Sequence, residues 1–527
     1  MDFVYNAHIY TLDPDHPTAS ALAIENGRIV WVGDNDQVSQ RNRPDGSTWD
    51  AGGQPIIPGL TDAHIHLENY ALGLDKVDCE TSTRDKCLGR VAERALSVPN
   101  GEWILGHGWN QNDWPEGFGS AADLDVVAPH NPVYLTAKSM HAGWANTAAL
   151  RAAGITPQTP DTADGRIAHD ENGEPSGILY EGAMRLLSNA IPVPTISQVV
   201  EAIRTVQPKL WQMGLTGLHD FDQARCFAAL QILKAGGALR LRVVKGIPLE
   251  SLPYTVKLGL RTGFGDDFLR IGSIKAFADG ALGPCTAAMF QPYEGELTNK
   301  GMLMLDAEEL YEHGRLAVQN GLSMAVHAIG DRANHEVLNA FDQLRKYEAA
   351  NGLPPLRHRI EHIQLIHPED APRLAELGII ASMQPIHATS DMLMADRYWG
   401  ARAALSYAWR TQLDHGAILA FGSDAPVESP NPFWGLHAAV TRRRQDGTPG
   451  TQGWHPAQRL TITEALHAYT AGPAYAAGME LSLGKLMPGF LADLLILDKD
   501  PFTCDPEDLY NIKPLATMVG GDWVWEA

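Results

Sequence analysis

The 527-residue sequence is poor in cysteine, short of positive charge and without a long apolar run. Its five cysteines, at 79, 87, 226, 285 and 504, are odd in number and form no CxxC pair. A disulfide framework is not expected in a chain of this size, and reduced thiols fit a cytoplasmic protein. Lys and Arg total 41 against 63 Asp and Glu, a net charge of −22. Nucleic acid and anionic membrane surfaces need a basic face, so neither is an expected partner and a small molecule is. No window approaches 18 uncharged apolar residues, so no transmembrane helix is expected either. The opening MDFVYNAHIYTLDP has no basic n-region and no apolar h-region, and it reads as a strand rather than a signal peptide. No internal repeat or low-complexity run is visible. What remains is a globular composition, 44% hydrophobic and 20% charged, with material for several domains or one large α/β barrel with attachments.

Both ends are strand-rich. Phe3 to Leu12, Ala21 to Glu25 and Arg28 to Val32 are apolar or alternating, and the Asn26-Gly27 dipeptide suits a type I′ hairpin turn. Ala492 to Asp498, Pro514 to Val519 and Asp522 to Trp525 read the same way. The simplest arrangement is a small β-sandwich assembled from residues 1–57 and 478–527. The middle, 58–477, alternates apolar strands with helical stretches at 196–213, 307–320, 333–351 and 368–377. Eight strand candidates are counted, at 55–60, 215–218, 239–247, 269–274, 323–326, 358–361, 379–383 and 417–422. Eight such units closing on themselves make a (β/α)8 TIM-like barrel, whose active site lies at the C-terminal strand ends. Residues of about 70–190, between the first and second barrel strands, are too many for one helix. They carry strands of their own at 103–105 and 133–137 and read as an inserted subdomain.

His64-Ile65-His66 is the sharpest local signal. On an extended segment, side chains two apart point the same way, so both imidazoles reach one ion. Lys275, His327, His362 and Asp424 stand at later strand ends, and a barrel brings those ends to one mouth. Four His and one Asp suit zinc and similar divalent ions. Lys275 reads alternatively as a lysine paired with Asp279, and Asp424 as a helix N-cap.

The segments IIPGLTDAHIHL (56–67), SIKAFADGALG (273–283), AVHAIGDRANHEVLNAF (325–341), RIEHIQL (359–365), FGSDAPVESPNPF (421–433) and LGKLMPGFLADLLILDKDP (483–501) together resemble the amidohydrolase superfamily, and within it the amidohydrolase-3, YtcJ-like group. The resemblance covers essentially the whole chain. It implies a (β/α)8 barrel with a β-sandwich from both termini. It further implies that His64, His66 and Asp424 bind the more buried ion, that Lys275 bridges two ions after carboxylation by CO2, and that His327 and His362 hold the second. An ammonium has no lone pair, whereas a carbamate on the same nitrogen is an anionic two-oxygen bridge. One or two zinc ions are expected, with iron, manganese and cobalt as alternatives, and a homodimer is the family's suggestion. Asp424 is also the expected proton carrier between the attacking water and the leaving nitrogen.

Softer candidates for substrate contact are His107, Trp109, His141 and Trp144 in the insertion, which line a pocket or pack the insertion, and Phe277, Asp279 and Gln384 near the strand ends. His387 and the loop from 280 to about 300 belong with these, the loop as a lid or a structural segment. His219 reads as support for the site or as a core residue. The reading is a metal-dependent hydrolase of a C–N bond in a non-peptide amide, an N-substituted formamide or N-acyl amine. Its rivals are a deaminase of an aminated heterocycle, against which Lys275 counts, a cyclic-amide or ester hydrolase, and a non-catalytic binding protein, against which the full set of ligand positions counts.

Overall fold

The computed structural model describes residues 1–41, 46–111, 114–137, 142–162 and 165–527. The chain forms two compact units, one of Met1–Tyr70 with Val199–Ala527 and one of Ala71–Gln198. The first unit contains a near-closed sheet of eight parallel strands in chain order. These are β1 (Leu60–Ile65), β2 (Leu215–Asp220), β3 (Arg242–Pro248), β4 (Leu269–Phe277), β5 (Met324–Ala328), β6 (Arg359–His362), β7 (Ile380–Met383) and β8 (Leu419–Phe421). Most of their residues are buried on both faces, the pattern expected of a parallel sheet covered by crossover helices. The helix Ala307–Gln319 starts at a capping box of Asp306 and Glu309. The helix Asp331–Ala350 turns Ala333, Val337, Phe341 and Leu344 inward at helical spacing. The helix expected over 368–377 is only Arg373–Glu376, because Pro368 and Pro372 withhold backbone donors from its first turns.

The first barrel strand lies one step later than its sequence suggests. Pro55–Pro58 pairs with Leu494–Leu497 and His8–Tyr10 in a terminal sheet, and the barrel strand begins at Leu60. Gly59 is the pivot between them, since a Cβ there would lie 2.4 Å from Thr216 Oγ1.

That terminal sheet has six strands, drawn from both ends of the chain, and a four-stranded sheet of N-terminal strands faces it. Ile9, Leu22, Ile24, Ile56, Leu494 and Ile496 share one core. The hairpin pairs Glu25 with Arg28 across Asn26 and Gly27, both with positive φ. Arg242 on β3 clamps the sandwich to the barrel through a buried bidentate pair with Asp493, at 2.6 and 2.7 Å.

The second unit is built on a six-stranded mixed sheet that includes Ile104–Trp109 and Val133–Ala137. Trp109 and Trp144 are 1% and 0% exposed in its core. Their indole N–H groups donate to Leu135 O and Ser120 O. No helix among the described residues is long and apolar enough to cross a membrane.

Candidate metal centre

His64 is the last residue but one of β1 and His66 follows the strand, so the extended backbone sends both rings to one side. Asp424 follows β8 in the left-handed region, with φ of 60°. Its backbone N–H donates to His64 O at 2.7 Å, and its Oδ1 lies 3.4 Å from both His64 Nε2 and His66 Nε2. His362 ends β6, also at positive φ, and its ring sits 4.9 Å from that of His64 and 4.6 Å from that of His327. Ligand atoms of His64, His362 and Asp424 all fall within 4.8 Å of one another. Lys275 on β4 is buried and its Nζ has no hydrogen-bond partner. The ammonium faces the rings of Phe221 and Phe277 at 5.0 Å each, and Asp279 spends its carboxylate elsewhere.

The imidazoles are held by groups behind them. Glu361 Oε2 accepts from His64 Nδ1 at 2.6 Å and also from Ser382 Oγ at 2.5 Å. Arg359 donates to Glu361, to Ser382 Oγ, to Ala63 O and to His219 Nδ1. Asp222 Oδ1 lies 3.2 Å from His66 Nδ1, and its other oxygen accepts the backbone N–H groups of Glu68 and Asn69. Gln384 Oε1 takes His362 Nδ1 at 2.8 Å. Such partners fix ring orientation and leave Nε2 of His64, His66 and His362 as the nitrogen that could meet a cation. His327 Nε2 rests 2.9 Å from Gly280 O.

The electrostatics follow from burial and these pairings. Burial, with the Lys275 charge beside it, pushes the His64 imidazole down to about 4, and burial takes His327 to about 3. His362 falls well below the usual histidine range for the same reason, with His327 adding to it. Burial opposes the charge on Asp424, yet His64 and His66 hold it well below the usual carboxylate range. Against its own burial, His66 is raised to about 9 by Asp222 and Asp424. Burial brings the Lys275 amine down to about 8. Burial thus favours the neutral form of His64, His327 and His362, while two flanking carboxylates favour charge at His66, where a bound cation would take the place of the proton.

These side chains open onto a cavity of about 410 Å³ that also touches Phe277, Leu282, Gln364, His387, Asp391 and Glu428. The six ligand-type residues read from the sequence all line it. Phe277 lies on its wall, 47% exposed, with its ring 5.2 Å from that of His327. Asp279 does not reach a substrate: it is 1% exposed and accepts backbone N–H groups from Ala288, Ile329 and Gly330, which pins the 280–300 loop. Gln384 orients His362 instead of facing the cavity. Trp109 and Trp144 fill the core of the second unit, where their donors are already spent. His107, at the surface of that unit, bonds Thr136 Oγ1 at 2.8 Å, and His141 lies outside the described residues.

Sequence reading missed Glu361, Arg359, Asp222 and Asp62. Asp62 accepts from His64 N, Ser423 N and Ser423 Oγ, and burial raises it to about 7. Two of the four stand one or two residues from a ligand, and that adjacency is the signal by which they were legible.

The donor set fits a divalent cation on this geometry alone. Two imidazole nitrogens and a carboxylate converge, two more imidazoles line the same pocket, and a buried lysine nitrogen there has no acceptor of its own. A sequence model of the Amidohydrolase family matches residues 47–525. YtcJ of Bacillus subtilis (strain 168) is 33% identical over 534 residues, 99% of this chain and 99% of that protein. The N-substituted formamide deformylase of Arthrobacter pascens is 29% identical over 550 residues, covering 98% of this chain and 97% of that enzyme. The crystal structure of an uncharacterized metal-dependent hydrolase from Pyrococcus furiosus is similar with a TM-score of 0.80 at 29% identity, covering 95% of this chain and 100% of that one. With this centre at the strand ends of a parallel barrel, the chain is a metal-dependent hydrolase of C–N bonds and belongs to the amidohydrolase family.

Proposed function

We propose that the protein hydrolyses a non-peptide amide, an N-substituted formamide or an N-acyl amine, at a two-ion centre held by His64, His66, Lys275, His327, His362 and Asp424. The observation that carries this reading is the convergence of His64, His362 and Asp424 beside the unpartnered Lys275 amine. A carbamate on that nitrogen would supply an anionic bridge. Addition of CO2 to the neutral amine, with loss of one proton, gives the carbamate. Zinc is the first candidate, with iron, manganese and cobalt behind it. When bound, such ions supply a water acidified toward neutral pH and a Lewis acid for the amide carbonyl.

The chain's own part is to hold and move one proton. Asp424 Oδ1 faces the cavity between two imidazoles and is kept ionised by them. It accepts the proton of the attacking water and returns it to the leaving nitrogen, so that the amine departs neutral. Glu361, Asp222 and Gln384 keep the rings aimed through the cycle. The carbonyl carbon loses its C–N bond and gains a C–O bond; formate or another carboxylate and an amine are the products. The match to a formamide deformylase over nearly the full length of both chains supports a small acyl group. Five free cysteines fit a cytoplasmic setting.

The test is metal analysis of the purified protein with native mass measurement in bicarbonate, followed by assay of formate release from N-substituted formamides. Two ions per chain, the mass of one CO2 on Lys275 and amide turnover are expected. Asp424→Asn should lose about 10²–10⁴-fold in kcat with its fold intact. One ion, an unmodified lysine and turnover of aminated heterocycles in place of amides would overturn the reading.

A further inference from the structure

The cavity lining beyond the six ligand-type residues has two features that the proton transfer described above does not use. The first is a pair of unpartnered polar atoms. Gln364 and His387 are each 5% exposed, and Gln364 Nε2 lies 3.3 Å from His387 Nδ1. That contact leaves His387 Nε2 and Gln364 Oε1, neither with a partner and both on side chains that line the cavity. Buried polar atoms of this kind cost stability unless something meets them. With Gln364 Nε2 donating to Nδ1, the pair presents a donor at Nε2–H and an acceptor at Oε1. A secondary amide has the complementary set, a carbonyl and an N–H.

The second feature is the sign of the remaining charge. Apart from the six, the ionisable acids and bases touching the cavity are His387, Asp391 and Glu428. Asp391 stands one helical turn after His387 on the helix Pro385–Trp399, so the two share a face, as does Met394 beyond. Asp391 takes the Tyr407 hydroxyl on one oxygen at 2.6 Å. Glu428 comes from the loop after β8, and its burial together with Asp391 raises it above the ordinary glutamate range. Arg444, the basic side chain outside the lining that acts on Glu428, is tied by its guanidinium to Thr389 O and Ser390 O. Beyond the six, the acidic side chains of the lining therefore outweigh the basic ones, and Leu282 and Val427 add apolar surface to the same cavity.

Resting on the amide-hydrolase reading above, we propose that the substrate is an N-acyl or N-formyl amine carrying a second, cationic amino group, its amide read by Gln364 and His387 and its ammonium held by Asp391 and Glu428. One helical turn from His387 to Asp391 is about 6 Å. A short alkyl chain of roughly five bonds spans that distance at about 1.2 Å per bond. Apolar Leu282 and Val427 of the same lining would cover such a chain. A substrate ending in a carboxylate would meet two like charges there.

The test compares formamides of one length that end in an ammonium, a methyl or a carboxylate, on the metal-loaded enzyme. The ammonium compound should exceed the methyl compound by about tenfold or more in kcat/KM, with the carboxylate last. In Asp391→Asn/Glu428→Gln the ammonium-to-methyl ratio should fall toward one. In Glu428→Lys the order of ammonium and carboxylate should reverse. Equal rates for all three in the wild type, or a preference for carboxylate, would overturn the proposal while leaving amide hydrolysis standing. Binding of 1,6-diaminohexane against hexylamine, by calorimetry, reads the same distal site without turnover. If no amide is cleaved, a tenfold advantage for the diamine, lost in the double variant, keeps the cation site and removes the amide reading; equal affinities remove the cation site.

Discussion

Glu361→Gln removes one negative charge from a place with almost no water. The Glu361 carboxylate is 0% exposed and the Arg359 guanidinium beside it 4%. Burial opposes ionisation of Glu361, but Arg359 and His64 keep it well below the usual glutamate range. Glutamine keeps an acceptor for His64 Nδ1 and loses the charge that balances Arg359. Two effects follow from the geometry. A weaker acceptor behind a ligating imidazole typically costs 10- to 100-fold in metal affinity, about 1.4–2.8 kcal/mol. A buried guanidinium stripped of its counter-ion costs about 3–5 kcal/mol of stability. The second figure is an upper bound, because Arg359 keeps Ala63 O, Ser382 Oγ and His219 Nδ1 as acceptors. Chelator competition would report the affinity and thermal unfolding of the metal-free protein the stability. A drop in Tm with unchanged metal affinity would show that Glu361 serves only Arg359. Wild-type values in both would refute the account of how His64 is aimed.

Trp109→Ala should destabilise the second unit by about 3–5 kcal/mol, seen as early protease cleavage within residues 71–198. An unchanged unfolding profile with a raised KM would instead assign the ring to substrate. Glu464 closes a capping box with Thr461 and pairs with Arg410, which, against its burial, brings it to about 2. A depressed carboxylate stabilises the fold above its unfolded value of about 4.5 and loses that effect as pH falls toward about 2. Because the pair is partly exposed, Glu464→Gln should cost no more than about 1 kcal/mol at neutral pH. The gap to wild type should close between about pH 4.5 and pH 2. A gap that persists at the acid end would put the loss in helix packing.

The barrel was legible because its strands are buried on both faces and appear as apolar runs, and because six of its polar residues fall where those runs stop. The register of the first strand was not. Pro55 to Leu60 is more apolar than Leu60 to Ile65, so hydrophobicity marks the sandwich strand and passes over the barrel strand, which carries Thr61, Asp62 and His64 inside. The same inversion hid Glu361, Arg359 and Asp222. Charged residues in a single sequence look like surface, and only the fold shows that their charges cancel one another in the core. Trp109 and Trp144 erred the other way: aromatic residues near glycines suggest a pocket, but the insertion has a sheet and a core of its own that needs them. His387 was a candidate by its place after the seventh strand, but its partner Gln364 carries no local signal, since the pairing spans two strand ends 23 residues apart.

The seam of the barrel has a consequence for how the enzyme comes into being. β1 and β8 stand at the two ends of the strand order. They are joined by Asp62 gripping Ser423, and by the backbone bonds Asp424 N–H to His64 O and His66 N–H to Ala425 O. His64 and His66 thus belong to the start of the barrel and Asp424 to its finish. During synthesis the histidine pair emerges some 360 residues before the aspartate that completes it. A growing chain has no Asp424 beside the histidines until its last strand docks, so the grouping of His64, His362 and Asp424 exists only once the ring has shut.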